Sequence, residues 1–293
     1  MAIYLILANG ITWILWVPSM IVATRQGYLL PTIDNVPILV RNGFADARHL
    51  VVSVAFSLAV YGPLIGALVS TRLDGGRVGI NELWGRMRKW QIGIQWYLTA
   101  FSVAILMAVV PVGLAIFTGI SRIGSHNPPS FAPYLLPLFL MQLLTSGLGE
   151  EPGWRGFLLP RQKSRSSGES YIWANGLIWA IWHIPITAYS TLSLMVDVPP
   201  AGMVVTVIFM LAGSTMSFIG LTYLYTWLYN STQSVFLAMV FHAATNVANA
   251  VTLPLLGGPQ LVVVVAIMPW VLVFFMQRAL GKKRFPGNGP VAV

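Results

Sequence analysis

Apolar residues run in eight long blocks, at about 3–24, 50–71, 94–119, 132–154, 171–190, 203–228, 233–253 and 260–277. Each approaches or exceeds the ~20 residues a helix needs to cross the hydrocarbon core of a bilayer. The pattern predicts an all-α, polytopic membrane protein with about eight transmembrane helices. Neither an internal repeat nor a low-complexity tract interrupts it, so one domain is expected over 1–293. The first block lacks a basic leader and is long for a signal peptide, so it reads as a retained span. Between the sixth and seventh blocks, Asn230 suits a left-handed helix stop and Ser231 or Thr232 can cap the helix that follows. Those two spans are expected to be adjacent and antiparallel.

Composition sharpens this. Hydrophobic residues make up 56% of the chain and charged residues 9%, against roughly 25% charged in soluble domains. A soluble globular enzyme is excluded, and so is a disordered chain, which needs high charge and few aromatics. The absence of Cys removes disulfides, thiolate nucleophiles and Cys-ligated metal centres. The net charge of +9 does not indicate nucleic-acid binding, because basic residues of membrane proteins gather on the cytoplasmic side. Twelve Lys and Arg fall in 72–93, in 155–170 beyond Arg155, and after 277, while four (Arg25, Arg41, Arg48 and Arg122) fall on the other side. The bias places both termini in the cytoplasm. The segment 80–92, with Trp84, Trp90, Arg86, Arg88 and Lys89, reads either as an interfacial amphipathic helix on anionic lipid or as a charged loop that fixes topology.

The chemistry lies in the polar residues inside the blocks. Six of the eight acidic residues fall in loops, as do His49 and His126; Glu150, Glu151, His183 and His242 do not. Ionisable groups at membrane depth normally face the bundle interior and mark a site. Glu151 and Arg155 stand at i and i+4, so they can pair on one helix face. Glu150 is turned about 100° away, toward a cavity. Pro152 removes a backbone donor, and Gly147, Gly149, Gly153 and Gly156 permit close backbone approach. A kinked helix packed tightly around an opening is expected. The plainer alternative is a helix-end ion pair at the membrane surface with packing glycines.

In the fifth block Trp179 and His183 share a face, which also suits an interfacial aromatic belt with a satisfied His. In the seventh, His242 and Asn246 share a face beside Ala243, Ala244 and Ala248, which also suits a helix–helix hydrogen bond. The combination is more telling than any part. Two carboxylates, two imidazoles, an amide and a guanidinium sit in three spans. Glu and His together hold and deprotonate water, and a second His with Asn donates to a developing oxyanion. The same His and Glu types also ligate zinc.

These residues resemble the motifs of the CAAX-protease and bacteriocin-processing family, the abortive-infection-type membrane proteases. Glu150-Glu151-x3-Arg155 is similar to its first motif, and Trp179-x3-His183 to its second, which more often begins with Phe. His242-x3-Asn246 is similar to its third. The resemblance covers roughly 146–247, inside a motif-bearing core of about 132–253. It implies an intramembrane endopeptidase that cleaves near the cytoplasmic leaflet. Glu150 would be the water-activating base, His183 would hold the same water, and Glu151 with Arg155 would support them. His242 and Asn246 would be oxyanion donors, and Trp154 and Trp179 would shape the substrate pocket. At 179, Trp for Phe is expected to alter pocket size more than chemistry. The cofactor stays open between one divalent metal such as zinc, with Glu150, His183 and His242 as candidate ligands, and water activated by Glu alone.

No Gly-x-Ser-x-Gly, Gly-x-Gly-Asp or Walker-type Gly-Lys-Ser/Thr run is present. A proton-coupled transporter and a non-catalytic scaffold or immunity protein are the other readings of the same residues. The expected partners are a peptide or membrane-anchored protein substrate and the lipid bilayer, without nucleic acid. The expected location is the bacterial cytoplasmic membrane. The sequence does not encode the natural substrate or the oligomeric state.

Overall fold

A computed structural model describes residues 1–33, 35–119, 132–166, 168–193, 195, 199–252, 262–281 and 285. Asp34, Arg122, His126, Asp197, Lys282, Lys283 and Arg284, used above for charge placement, lie outside the described residues.

All described elements are helical. They are α1 (Ala2–Gln26), α2 (Val36–Asn42), α3 (Ala47–Leu58), α4 (Gly62–Met87), α5 (Ile94–Phe117), α6 (Leu135–Gln142), α7 (Leu148–Glu151), α8 (Leu159–Lys163), α9 (Ser170–Trp182), α10 (Ile184–Ser193), α11 (Pro200–Thr232), α12 (Val235–Thr252) and α13 (Val262–Leu280). Four stretches are long and apolar enough to cross a membrane: Ala2–Gln26, Ala47–Met87, Ile94–Phe117 and Pro200–Thr232. Val235–Ala250 and Ala266–Leu280 are shorter apolar helices. The chain is thus a helical membrane protein. Many large apolar side chains on its surface, such as Ile14, Val69, Leu98 and Phe209, are exposed, as a lipid-facing shell requires.

Several boundaries differ from the sequence pattern. The 72–93 segment is no loop: α4 runs through it to Met87, broken where Gly76 takes φ 58° and ψ −143°. Asp74 and Glu82 are therefore helical. Beyond the break, Leu83 and Met87 turn inward, while Arg88 lies 5.4 Å over the Trp84 ring. This is the geometry of an interfacial helix. His49 is not in a loop either. It is buried in the first turn of α3, where its backbone N–H donates to the N-cap Asp46 at 2.7 Å. The helix stop before α12 is Gln233, at φ 53°, not Asn230. The cap is Ser234, whose Oγ accepts from Leu237 N at 3.0 Å and donates to Lys89 O at 2.6 Å. A hydroxyl that also ties the turn to the end of the α4 region outcompetes Ser231 and Thr232, which remain helical.

The polar span is irregularly wound. Leu143–Gly147 and Pro152–Leu158 are π-helical, on either side of the single turn α7. Widening the turn to i→i+5 accommodates the donor that Pro152 lacks. The span then continues to Lys163, so 155–163 is helix and not loop. α4 packs against it at the glycines. A Cβ at Gly149 would meet Val60 O at 2.6 Å, and one at Gly153 would meet Pro63 at 2.7 Å.

The next span breaks at His183, which ends α9; Pro185 sits in the first turn of α10, where a missing N–H is harmless. α1 is tied to this break. Trp182 Nε1–H donates to Thr12 Oγ1 at 2.9 Å, and Trp13 Nε1–H donates to Trp182 O at 3.1 Å.

Candidate active site

The wound span, the α9 break and α12 meet at one buried polar cluster. Glu151 and Arg155 carry no exposed side-chain surface and pair at 3.1 Å, as their spacing predicts. The guanidinium lies between two rings, 4.3 Å from the Trp179 centroid and 3.9 Å from that of Tyr225. The aromatic faces replace part of the lost hydration. Glu151 Oε1 also accepts from His242 Nδ1 at 2.7 Å. The same oxygen accepts from Arg155 Nη1, so Nδ1 is the donor in this bond and Nε2 is left to face Glu150.

Glu150 is 3% exposed and lines a cavity of about 880 Å³. Its Oε2 accepts from Trp179 Nε1–H at 3.0 Å and from Trp154 Nε1–H at 3.3 Å. Its Oε1 lies 3.8 Å from His242 Nε2, beyond direct hydrogen-bond reach and close enough for one water beside the pair to touch both. The cavity extends from this polar floor between α9, α10, α11, α12 and α13, and its walls are mostly apolar.

The eight residues singled out in the sequence do not all fall as expected. Glu150, Glu151, Arg155, Trp154, Trp179 and His242 form one connected set. Asn246 lines the same cavity, but its Nδ2 donates to Gln142 Oε1 at 2.8 Å. His183 also lines the cavity. Its Nδ1–H is taken by Trp179 O at 2.8 Å, and its ring stacks on Phe218 at 4.1 Å. The imidazole lying against both carboxylates is therefore His242, where the resemblance implied His183 for the shared water. Helix geometry explains this. His183 closes α9 and bonds back into it, whereas His242 projects from the middle of α12. The change at 179 also touches more than pocket size, because the indole N–H holds Glu150 and Phe has no such donor.

Gln142 and Tyr225 were missed. Gln142 gave a legible signal, being an amide inside an apolar run. Tyr225 gave none, since an aromatic in a span is indistinguishable from core.

Among the described residues, no group of three His, Asp or Glu side chains is arranged to hold a metal ion. Glu151 Oε1 and the Nδ1 atoms of both imidazoles are already engaged, which leaves Glu150 Oε1 and His242 Nε2 facing each other at 3.8 Å. These side chains do not make a three-ligand metal centre.

Comparison with known proteins gives one family. Residues 132–248 match the model for the Rce1-like type II CAAX prenyl endopeptidases. No curated protein matches the chain. The matched segment contains the whole polar cluster, and through residues 132–248 the match supports placing the chain in the CAAX-protease family.

Proposed function

We propose that the chain is an intramembrane endopeptidase in which Glu150 activates a water that attacks a peptide carbonyl. One observation carries the reading. A buried carboxylate, Glu150, faces an imidazole nitrogen 3.8 Å away at the floor of a large, mostly apolar cavity. Such a pair orients a water and takes its proton. Asn246 lines the cavity one helical turn beyond His242 and supplies an amide N–H to the developing oxyanion. Glu151 and Arg155 fix the His242 tautomer from behind. The apolar walls suit a membrane-anchored peptide or protein substrate. About eight spans with both termini cytoplasmic, in a single membrane peptidase domain, would put the cleaved bond near the cytoplasmic leaflet. The bacterial cytoplasmic membrane is the proposed location.

Peptide termini compared by mass spectrometry among native cells carrying wild type, a deletion or Glu150→Ala at matched expression test this. Termini present in wild type and missing from both others support proteolysis and identify the substrate. A Glu150→Ala profile equal to wild type, with the deletion different, removes this site from catalysis and favours a scaffold. Substrate-dependent proton flux lost in Glu150→Gln would favour a transporter.

A further inference from the structure

Glu150 has two oxygens, and the structure treats them differently. Both indole donors reach the same one: Trp179 at 3.0 Å and Trp154 at 3.3 Å, each to Oε2. An ionised carboxylate has about four acceptor sites, two on each oxygen. Two N–H bonds fill those of Oε2. Oε1 receives neither indole and faces His242 Nε2. The donors come from different elements. Trp154 stands four residues on in the wound span, and Trp179 stands on α9. Together they clamp the carboxylate against rotation. Each ring is itself held. Trp154 packs edge-on against Tyr4 and Trp182, at 5.8 and 5.9 Å. Trp179 lies against Phe218 and Tyr225, at 4.9 and 5.5 Å.

We infer that the two oxygens of Glu150 have separate work: Trp179, assisted by Trp154, is a positioning residue that holds Oε2, and Oε1 is the oxygen that takes the water's proton. This rests on the endopeptidase reading above. In the step it describes, one water proton passes to Oε1 as the water oxygen bonds to the acyl carbon. The carbonyl oxygen takes the negative charge. On collapse the C–N bond breaks and Oε1 returns the proton to the departing amine. Oε2 keeps both indole bonds throughout, so the base returns to the same orientation each turnover.

The bond and its role are read separately. In protein labelled with 15N at the indoles, in detergent micelles, the Trp154 and Trp179 Nε1–H resonances should both move upfield in Glu150→Ala. That of Trp173, bonded to the Tyr223 hydroxyl, should stay. An unmoved Trp179 resonance overturns the proposal whatever the protein's activity. The role is read from the rate at which Glu150-dependent termini appear in native membranes. Here β-(3-benzothienyl)alanine replaces Trp179, keeping the bicyclic outline with sulfur in place of the N–H. Loss of a charge-assisted bond should slow the rate about tenfold. Trp179→Phe should slow it as much, since its face still covers Arg155. A wild-type rate with the sulfur analogue makes position 179 a matter of pocket shape and overturns the role. Wild-type termini in Glu150→Ala would instead defeat the endopeptidase reading and take the role with it, while the spectrum still reports the bond.

Discussion

Arg155 carries a full charge with no exposed surface, held by one carboxylate and two aromatic faces. Removing one member of such a pair leaves the other buried and uncompensated, at ~3–5 kcal/mol. Arg155→Met should therefore lower thermal stability by an amount of that order, measured by unfolding in micelles, and reduce activity through the stranded Glu151. Asn246 donates to the buried Gln142 amide, so Asn246→Ala strands that acceptor and should cost ~1–3 kcal/mol of stability, less than Arg155→Met. The rate of Asn246→Ala should fall by about 10²–10³ if Asn246 donates to the oxyanion; a change within twofold would remove it from that role. The pairing of Glu151 with Arg155 was legible from i,i+4 spacing alone, because helical and π turns both bring those side chains together. That His242, and not His183, lies against both carboxylates was not, because it depends on the helix break at His183, a tertiary feature anchored by Trp182 and Thr12.

At the level of elements, the site depends on how closely α4 meets the wound span. The glycines at 147, 149, 153 and 156 announce close packing in the sequence, and the contacts at Gly149 and Gly153 show how close. Backbone and a proline ring occupy the space a Cβ would need. Neither can rotate away, so Gly153→Ala should act by overpacking and destabilise by ~1–3 kcal/mol. Thermal unfolding measures this, and an unchanged midpoint would show that α4 can slide. The π-turns themselves could not be read from sequence. Pro152 signals a disturbed backbone, but a kink and a widened turn satisfy the same missing donor. The interfacial helix after Gly76 was half legible, since Trp and Arg spacing suggested it but could not separate it from a charged loop.

For the whole molecule, the apolar blocks located helices but not their ends, and four described stretches, not eight, are long and apolar enough to cross a membrane. α11 has 33 residues, about 50 Å of helix, and exceeds the ~30 Å hydrocarbon core. Hydropathy sees only its middle. The chain has no Cys, so single introduced cysteines report topology directly. Arg165→Cys and Arg278→Cys should react with an impermeant maleimide only after the cytoplasmic side is opened, and Asn42→Cys in intact cells. The reverse pattern would invert the orientation and move the cleaved bond to the other leaflet. α1 lies outside the matched segment 132–248, yet it supplies Trp16 to the cavity wall and anchors Trp182. The polar floor is legible in three short motifs, but the cavity above it also draws walls from α1, α10, α11 and α13, which carry none. The central claim is that Glu150 activates water for peptide hydrolysis. The most direct measurement is hydrolysis by purified wild type and Glu150→Ala in liposomes, using the peptide that the cellular termini identify. Product from wild type and none from a folded Glu150→Ala is the predicted result. Equal product from both would contradict it.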